Sequence, residues 1–348
     1  MDGLTAYMEA ANAEGGIEFG DGQTRTVEIQ ALDDTYDPQK ASANYQQLSS
    51  EVFAMTTGLG TPTNLAWREA ANADEVPQVF IESGDPIFSD QQESPWSLGF
   101  IPVYQNEGEA FGQMLADSGD HTVAILSQND DFGEGYVEGF KSAIEGADNI
   151  EVVKELTYEA TDDSVDAQIT ELAGTDADVI FNAMSITPLV ISAMERAQSV
   201  DWDPSWFQPS NTSSPDAILG PASAETFPGV YTVAFSKAPA APQFADDDDV
   251  QTFLDHLDTY TDQDGPPAFP HCMWSYMTGA ALEQVFEQME EPTRENFMEH
   301  VRDIEDFQAP LMLDGTAVNT TEDGQPAVSD VVIQKYNGQG FDTVDTIE

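Results

Sequence analysis

The sequence predicts an α/β protein made of two doubly wound, parallel-sheet lobes. Short apolar runs rich in Val, Ile and Phe alternate with longer segments of helical period, the pattern of βα units. This alternation runs through two successive sets along one chain, and 348 residues with 40% hydrophobic content suffice for two ordinary cores.

The opening MDGLTAYMEAANAEGG places Leu4, Tyr7, Met8 and Ala11 at helical spacing, so the chain starts inside an amphipathic helix. VEIQALDD, beginning at Val27, reads as the first strand. A helix over 41–48 follows, then strand VFAMTTG, helix TNLAWREAANA and strand VPQVFIESGD. The second set begins with strand HTVAILSQND and helix FGEGYVEGFKSAIEG, whose Phe132, Tyr136, Phe140 and Ile144 share a face. Strand IEVVKELTY, helix VDAQITELAG, strand ADVIFNAMS, helix LVISAMERAQSV and strand GVYTVAFS complete it. SKAPAAPQF, rich in Pro and Ala, reads as a crossing between lobes. Helices at VQTFLDHLDTY and CMWSYMTGAALEQVFEQM, a capped helix from Thr293 and a short β region at SDVVIQKYNG then finish layers begun earlier. The expected division is 1–104 with 236–306 for lobe 1, and 105–235 with 307–348 for lobe 2.

Charge restricts the partners. Sixty-five Asp+Glu against ten Lys+Arg give a formal net charge of -55, which excludes nucleic acid. The acid is spread over helix faces and loops, with a run at 246–249, so it forms a shell and not a tail. Such a shell repels itself in dilute buffer and is screened in about 1 M salt, where the Debye length falls to about 3 Å. It reads as adaptation to a salty medium, the scarcity of lysine weighing against an ordinary acidic protein. A single cysteine, Cys272, excludes an internal disulfide and a cysteine-rich zinc site. No apolar run approaches the roughly 20 residues of a membrane helix.

Ligands of open parallel sheets bind beyond the carboxyl ends of strands. Those ends read 57–61 (TGLGT), 83–85 (SGD), 128–130 (QND), Met184-Ser185 and 209–211 (PSN). The first leads into a helix, so its turn either presents backbone N–H groups to a carboxylate or is a plain tight turn. GLGTPT lacks the third glycine of a dinucleotide fingerprint and follows the wrong strand for one. DFG at 131–133 stands without any other kinase motif. Asp33, Asp34 and Asp37, and the cluster at 129–131, do not follow a calcium-loop spacing and read as capping or solvated acids. His271 beside Cys272 reads as packing at a helix start in preference to a thiol nucleophile with its base. No acid, base or nucleophile set for catalysis is evident, and no cofactor or metal is expected.

AANAEGG followed by a strand and LDDTYDPQKA, then VFAMTTGLGTPTNLA, VPQVFIESGD, SPWSLGFIPVYQNEGEAFG, VAILSQNDDFGEGYVEGFK, YEATDDSVDAQITEL, ADVIFNA and TRENFMEHV together resemble the solute-binding proteins of branched-chain amino acid type ABC transporters, with the type I periplasmic binding fold. The resemblance runs along nearly the whole chain. It implies two lobes joined by crossing strands that close on a small ligand in the cleft, and no enzymatic activity. It further implies that a first strand of lobe 1, a secretion signal and a lipid-anchor cysteine lie outside this sequence, the full-length protein being extracellular and membrane-anchored. The implied partners are a small-molecule ligand and a membrane permease with its ATPase. The implied ligand contacts are Leu59, Gly60 and Thr61, which would hold a carboxylate, with Ser83, Gly84 and Asp85 from the same lobe. From the other lobe come Phe132, covering the ligand, and Ser185 and Asn211. Amino-acid binders of this family place an acid in the loop matching PSNTSS, which has none. Asp85 or Glu82 would then have to face an ammonium, or the ligand is an aromatic or other organic acid. A ligand-sensing receptor ectodomain uses the same fold.

Overall fold

Parallel neighbours in a sheet must be joined by chain that crosses back over one of its faces. The computed structural model describes residues 1–344. It divides into a first unit, Met1–Val103 with Phe244–Pro267 and His271–Asp330, and a second, Tyr104–Gln243 with Ala268–Pro270 and the chain from Val331. Residues 307–330, expected in lobe 2, therefore pack in the first unit: Ala327 and Val328 donate backbone hydrogen bonds to the carbonyls of Gly99 and Phe100. Residues 236–243, expected in lobe 1, belong to the second unit, and 345–348 lie outside the described residues.

The first unit opens with helix α1 (Asp2–Ala13), which buries Leu4, Ala6, Met8 and Ala10. A small antiparallel hairpin, β1 (Ile17–Glu18) with β2 (Thr24–Arg25), follows. VEIQALDD does not become the expected strand. Val27 and Ile29 are half-buried and Glu28 and Gln30 exposed, the alternation of a strand, yet 27–34 joins no ladder. Helix α2 (Pro38–Leu48) is capped by Asp37, whose carboxylate accepts from Gln39 and Lys40 N–H. Then come β3 (Met55–Thr56), α3 (Thr61–Ala73), β4 (Gln78–Ile81) and β5 (Ser97–Gly99). The three strands form a parallel sheet in sequence order, with Met55 opposite Gln78 and Val79 opposite Leu98. All four residues of β4 are buried, as a strand covered on both faces requires.

The second unit begins with α4 (Tyr104–Ala116), then β6 (His121–Gln128), α5 (Asp131–Ala143), β7 (Ile150–Tyr158), α6 (Asp166–Ala173), β8 (Val179–Ala183), α7 (Thr187–Ser199), β9 (Ser205–Phe207) and β10 (Val230–Ala234). Helices α4 and α5 cross closely because Gly108 has no Cβ, which would lie 2.2 Å from the Tyr136 carbonyl oxygen. The chain returns to the first unit as α8 (Asp248–Tyr260), α9 (His271–Gln288) and α10 (Arg294–Val301), the last capped by Thr293 Oγ1 as expected. It ends in the second unit with β11 (Val332–Tyr336) and β12 (Phe341–Thr343). The seven-stranded sheet runs β12-β11-β10-β9-β8-β6-β7, parallel except at β11 and β12. Phe111, Phe140, Phe181 and Phe207, all fully buried, stack beside it with ring centroids 4.5–5.0 Å apart for the closest pairs.

Arg25, Lys141 and Lys154 pair with carboxylates, whereas three arginines hold backbone carbonyls. Arg294 Nε donates to Phe53 O (2.9 Å) and its Nη2 to Val52 O (2.8 Å) and Ser49 O (3.4 Å), with Nη1 reaching Glu75 O (3.3 Å). Arg302 donates to Pro95 O (2.6 Å), and Arg68 to Glu93 O (2.9 Å) and Ser94 Oγ (2.7 Å). Most carboxylates are consequently offset by nothing but solvent and its ions. Raising NaCl from about 0.1 M to above 1 M contracts the Debye length from about 10 Å to about 3 Å, and the thermal midpoint should rise throughout that titration. A midpoint indifferent to salt would remove the electrostatic account of the composition.

Candidate functional site

In the second unit the sheet winds outward in both directions from β6 and β8, so the ends of these two strands form its switch point. Ser185, expected as a ligand contact, sits there two residues beyond β8. Its Oγ donates to Gln128 Oε1 (2.7 Å), which also accepts from Tyr158 Oη (2.7 Å), while Ser185 N–H donates to Tyr158 Oη (3.2 Å). Gln128 Nε2 donates in turn to Asp130 Oδ2 (2.6 Å), and Asp130 caps α5 by accepting from Gly133 N–H. Next along the sheet, Asn182 Nδ2 donates to Gln208 Oε1 (2.7 Å) and Thr212 Oγ1 to Met184 O (3.1 Å). Asn211 lies in the same loop. Its Oδ1 is buried and has no hydrogen-bond partner among the described residues.

Phe132 lies two residues beyond the Asp130 cap of α5. It is buried, with ring centroids 4.9 Å from Tyr104 and 5.0 Å from Tyr136. The α5 cap at Asp130 turns the first helical turn inward, so Phe132 joins the core between α4 and α5.

Under this loop lies a group that sequence reasoning missed. Glu107 is fully buried on α4 and accepts three hydrogen bonds, from Ser210 N–H (3.2 Å), Ser210 Oγ (2.7 Å) and Tyr136 Oη (2.8 Å). Burial pushes its carboxyl up to about 7 despite the opposing pull of the Ser210 and Tyr136 hydrogen bonds. The available signal was an acid on the same helical face as Tyr104, Gly108 and Phe111. Through Ser210 it fixes the loop carrying Asn211.

In the first unit the remaining expected residues come together at the ends of β3 and β4. Leu59 and Glu82 form a parallel bridge, and Gly60 N–H donates to Glu82 O (3.1 Å). The Gly60 amide is therefore engaged and cannot be one of the free amides expected for a carboxylate, and Pro62 has none to offer. Gly60 is required on other grounds: its φ is +91°, and a Cβ would lie 2.3 Å from the Tyr36 ring. What the turn presents is hydroxyls. Thr61 Oγ1 and Ser83 Oγ are 2.7 Å apart, both buried, at the start of α3. Gly84 is buried beside them. Asp85 accepts from Ile87 N–H (2.9 Å) and so caps the short turn 86–88. Leu59 is 44% exposed.

Glu82 is taken up by His271, whose Nδ1 lies 2.8 Å from Glu82 Oε2. Burial holds the adjacent Cys272 thiol up at about 11, the opposite of what a nucleophile needs. The other acidic clusters are local caps: Asp33 accepts from Thr35 N–H, Asp34 from Tyr36 N–H, and Asn129 donates to Glu159. Among the described residues, no group of three or more His, Cys, Asp or Glu is arranged to hold a metal ion, and no helix is long and apolar enough to cross a membrane.

Two wound α/β units with polar loops beyond the carboxyl ends of their strands define the type I periplasmic binding fold. The periplasmic binding protein family profile matches residues 1–340, and the chain belongs to that family, whose members bind and do not catalyse. Among solved structures, a fatty acid ABC transporter substrate-binding protein from Thermomonospora curvata superposes with a TM-score of 0.82 at 22% identity, over 98% of this chain and 85% of that one. A solute-binding protein of an ABC transporter from R. palustris in complex with benzoate gives 0.78 at 16%, covering 98% and 90%. A substrate-binding protein from Desulfitobacterium hafniense in complex with Leu gives 0.74 at 18%, covering 99% and 94%. No curated protein matches the chain in sequence.

A carboxyl whose folded pKa is raised contributes stability while protonated. For Glu107 that contribution is complete below about pH 4.5 and lost as pH rises through about 7, on the order of 3 kcal/mol. Denaturant titrations in molar salt should show Glu107→Gln flattening the fall in stability over this interval. Parallel curves for the two proteins would show that Glu107 titrates as an ordinary surface acid.

Proposed function

We propose that the protein is the solute-binding receptor of an ABC importer, working outside the cell in concentrated salt. It captures a small, largely apolar solute bearing a carboxylate and delivers it to a membrane permease and its ATPase. The observation that carries this reading is the hydroxyl pair Thr61 and Ser83, 2.7 Å apart at the N-terminus of α3. Hydroxyl donors set beside a helix N-terminus favour a carboxylate over a neutral or cationic solute.

Two solute classes fit that chemistry, hydrophobic amino acids and organic acids without an amine. The arrangement of acids favours the second. A bound ammonium needs a well-placed carboxylate, whereas Glu82 is occupied by His271, Asp85 caps the 86–88 turn and Glu107 lies buried under Ser210. The neighbours solved with benzoate and with Leu span the same two classes.

Calorimetry in molar salt with leucine, phenylalanine, benzoate and medium-chain fatty acids tests the proposal. Carboxylates should bind and their primary amides should not, with benzoate or a fatty acid ahead of leucine. Thr61→Val should weaken the best ligand about tenfold, equivalent to about 1.4 kcal/mol. Equal binding of acids and amides would refute the carboxylate contact.

A further inference from the structure

Glu107 and Ser210 meet where the carboxyl edge of the second unit's sheet rests on helix α4. Ser210 stands just beyond the end of β9 and opens the short turn Ser210–Thr212. The backbone of this turn is already committed: Pro209 O accepts from Thr212 N–H (3.1 Å), Ser210 O from Ser213 Oγ (2.9 Å), and Ser210 N–H donates to Glu107 (3.2 Å). What Ser210 can still turn is its hydroxyl, a rotor that both donates and accepts.

The two oxygens of Glu107 are not equivalent. Oε2 accepts from Ser210 N–H and from Tyr136 Oη, whereas Oε1 accepts from Ser210 Oγ alone (2.7 Å). A proton added to Oε2 would face an amide that cannot accept and a phenol whose own proton, displaced, would have to find an acceptor in the core. Tyr136 is fully buried, and burial holds its phenol protonated, well above the usual range. A proton added to Oε1 meets a hydroxyl. All three contacts then survive, and the Ser210 proton is freed to turn away from Glu107.

The surroundings leave Glu107 uncompensated. Among the described residues no cation pairs with it. Its titratable neighbours are phenols: Tyr136 from α5, Tyr104 on α4 itself and stacked on Tyr136 (4.9 Å), and Tyr231 from β10, 6.5 Å from the Phe111 ring. Asp131, Glu134, Glu138 and Lys141 of α5 are all exposed, and the loop 209–214 carries no titratable side chain. Concentrated salt screens exposed carboxylates but a buried one much less, so an ionised Glu107 opposes an anion at this edge even in brine.

We propose that Glu107 is a proton-binding site coupled to solute capture. An acidic solute whose oxygen is held at Ser210 is taken up with one proton from solvent, which settles on Glu107 Oε1. The Ser210 hydroxyl then accepts from Glu107 and donates to the solute, so one proton both removes a buried like charge and supplies a donor. This coupling rests on the reading of the protein as a carboxylate receptor, and it assigns that receptor a second cargo.

Calorimetry with benzoate and octanoate in molar salt, run in pairs of buffers that differ in ionisation enthalpy, counts the protons taken up per solute. Both acids are ionised between about pH 6 and pH 8, so a proton exchanged there belongs to the protein. The Glu107 carboxyl titrates at about 7, and a solute that selects its protonated form should bind about tenfold more weakly at pH 8 than at pH 6, with uptake approaching one proton at pH 8. Glu107→Gln presents an amide donor to Ser210 Oγ at every pH, and should bind equally at both values with no proton exchanged. Ser210→Ala removes the rotor without touching the buried acid. It should lose most of the tenfold difference, and it decides the matter should Glu107→Gln fail to fold. Proton release, no exchange at pH 8, or an unchanged pH profile in Ser210→Ala overturns the coupling and leaves carboxylate binding standing. Failure of every acid to bind at either pH refutes the receptor reading, and the coupling falls with it.

Discussion

A parallel strand can be followed by its neighbour only after the chain has crossed back over a face of the sheet, and this requirement organises the whole protein. Every crossing helix starts near the carboxyl edge of the sheet it covers, so helix N-termini and connecting loops collect along that edge. In the second unit the chain winds one way from β6 to β7 and the other way to β8, and the loops part at Gln128 and Ser185. In the first unit the loops after β3 and β4 meet at Thr61 and Ser83. Such places collect polar side chains because the apolar layers end there. A function assigned to these loops follows from the same geometry that builds the core.

Apolar periodicity made most of this frame legible. Strands buried on both faces, such as β4, β6 and β8, read as continuous apolar runs, and α3, α5 and α7 showed their stripes. Elements that broke period were not visible. Helix α4 sets Glu107 and two glycines on its buried face, and β5 and β9 have three residues each, too few for a pattern. Residues 27–34 had the right composition for a strand, but pairing is a property of neighbours that composition does not record. Residues 307–330 were misplaced for the same reason, since only the hydrogen bonds to Gly99 and Phe100 tie them to the first unit.

The candidate site was legible as a set of positions and not as chemistry. Polar residues after an apolar run marked Thr61, Ser83, Ser185 and Asn211, but local sequence could not say which groups were already engaged. The Gly60 amide is spent on Glu82 O, Glu82 on His271, and Phe132 on the core. Each depends on contacts far along the chain. Glu107 is the extreme instance: its partner Ser210 lies 103 residues away, and its influence on the loop exists only once α4 is seated beneath it.

The Arg294 fork bears on how far such an acidic composition can be taken. Paired charges lose their attraction in brine, whereas short hydrogen bonds from a guanidinium to main-chain oxygens are much less exposed to screening because they rely on contact and direction. Arg294 gathers the end of α2, the approach to β3 and the turn before β4 in this way, and lysine, with one compact ammonium, could not span them. Lineages that strip cations from their surfaces would therefore be free to discard nearly every lysine, yet each arginine acting as a clasp for several carbonyls would set a floor beneath which basic content could not drop.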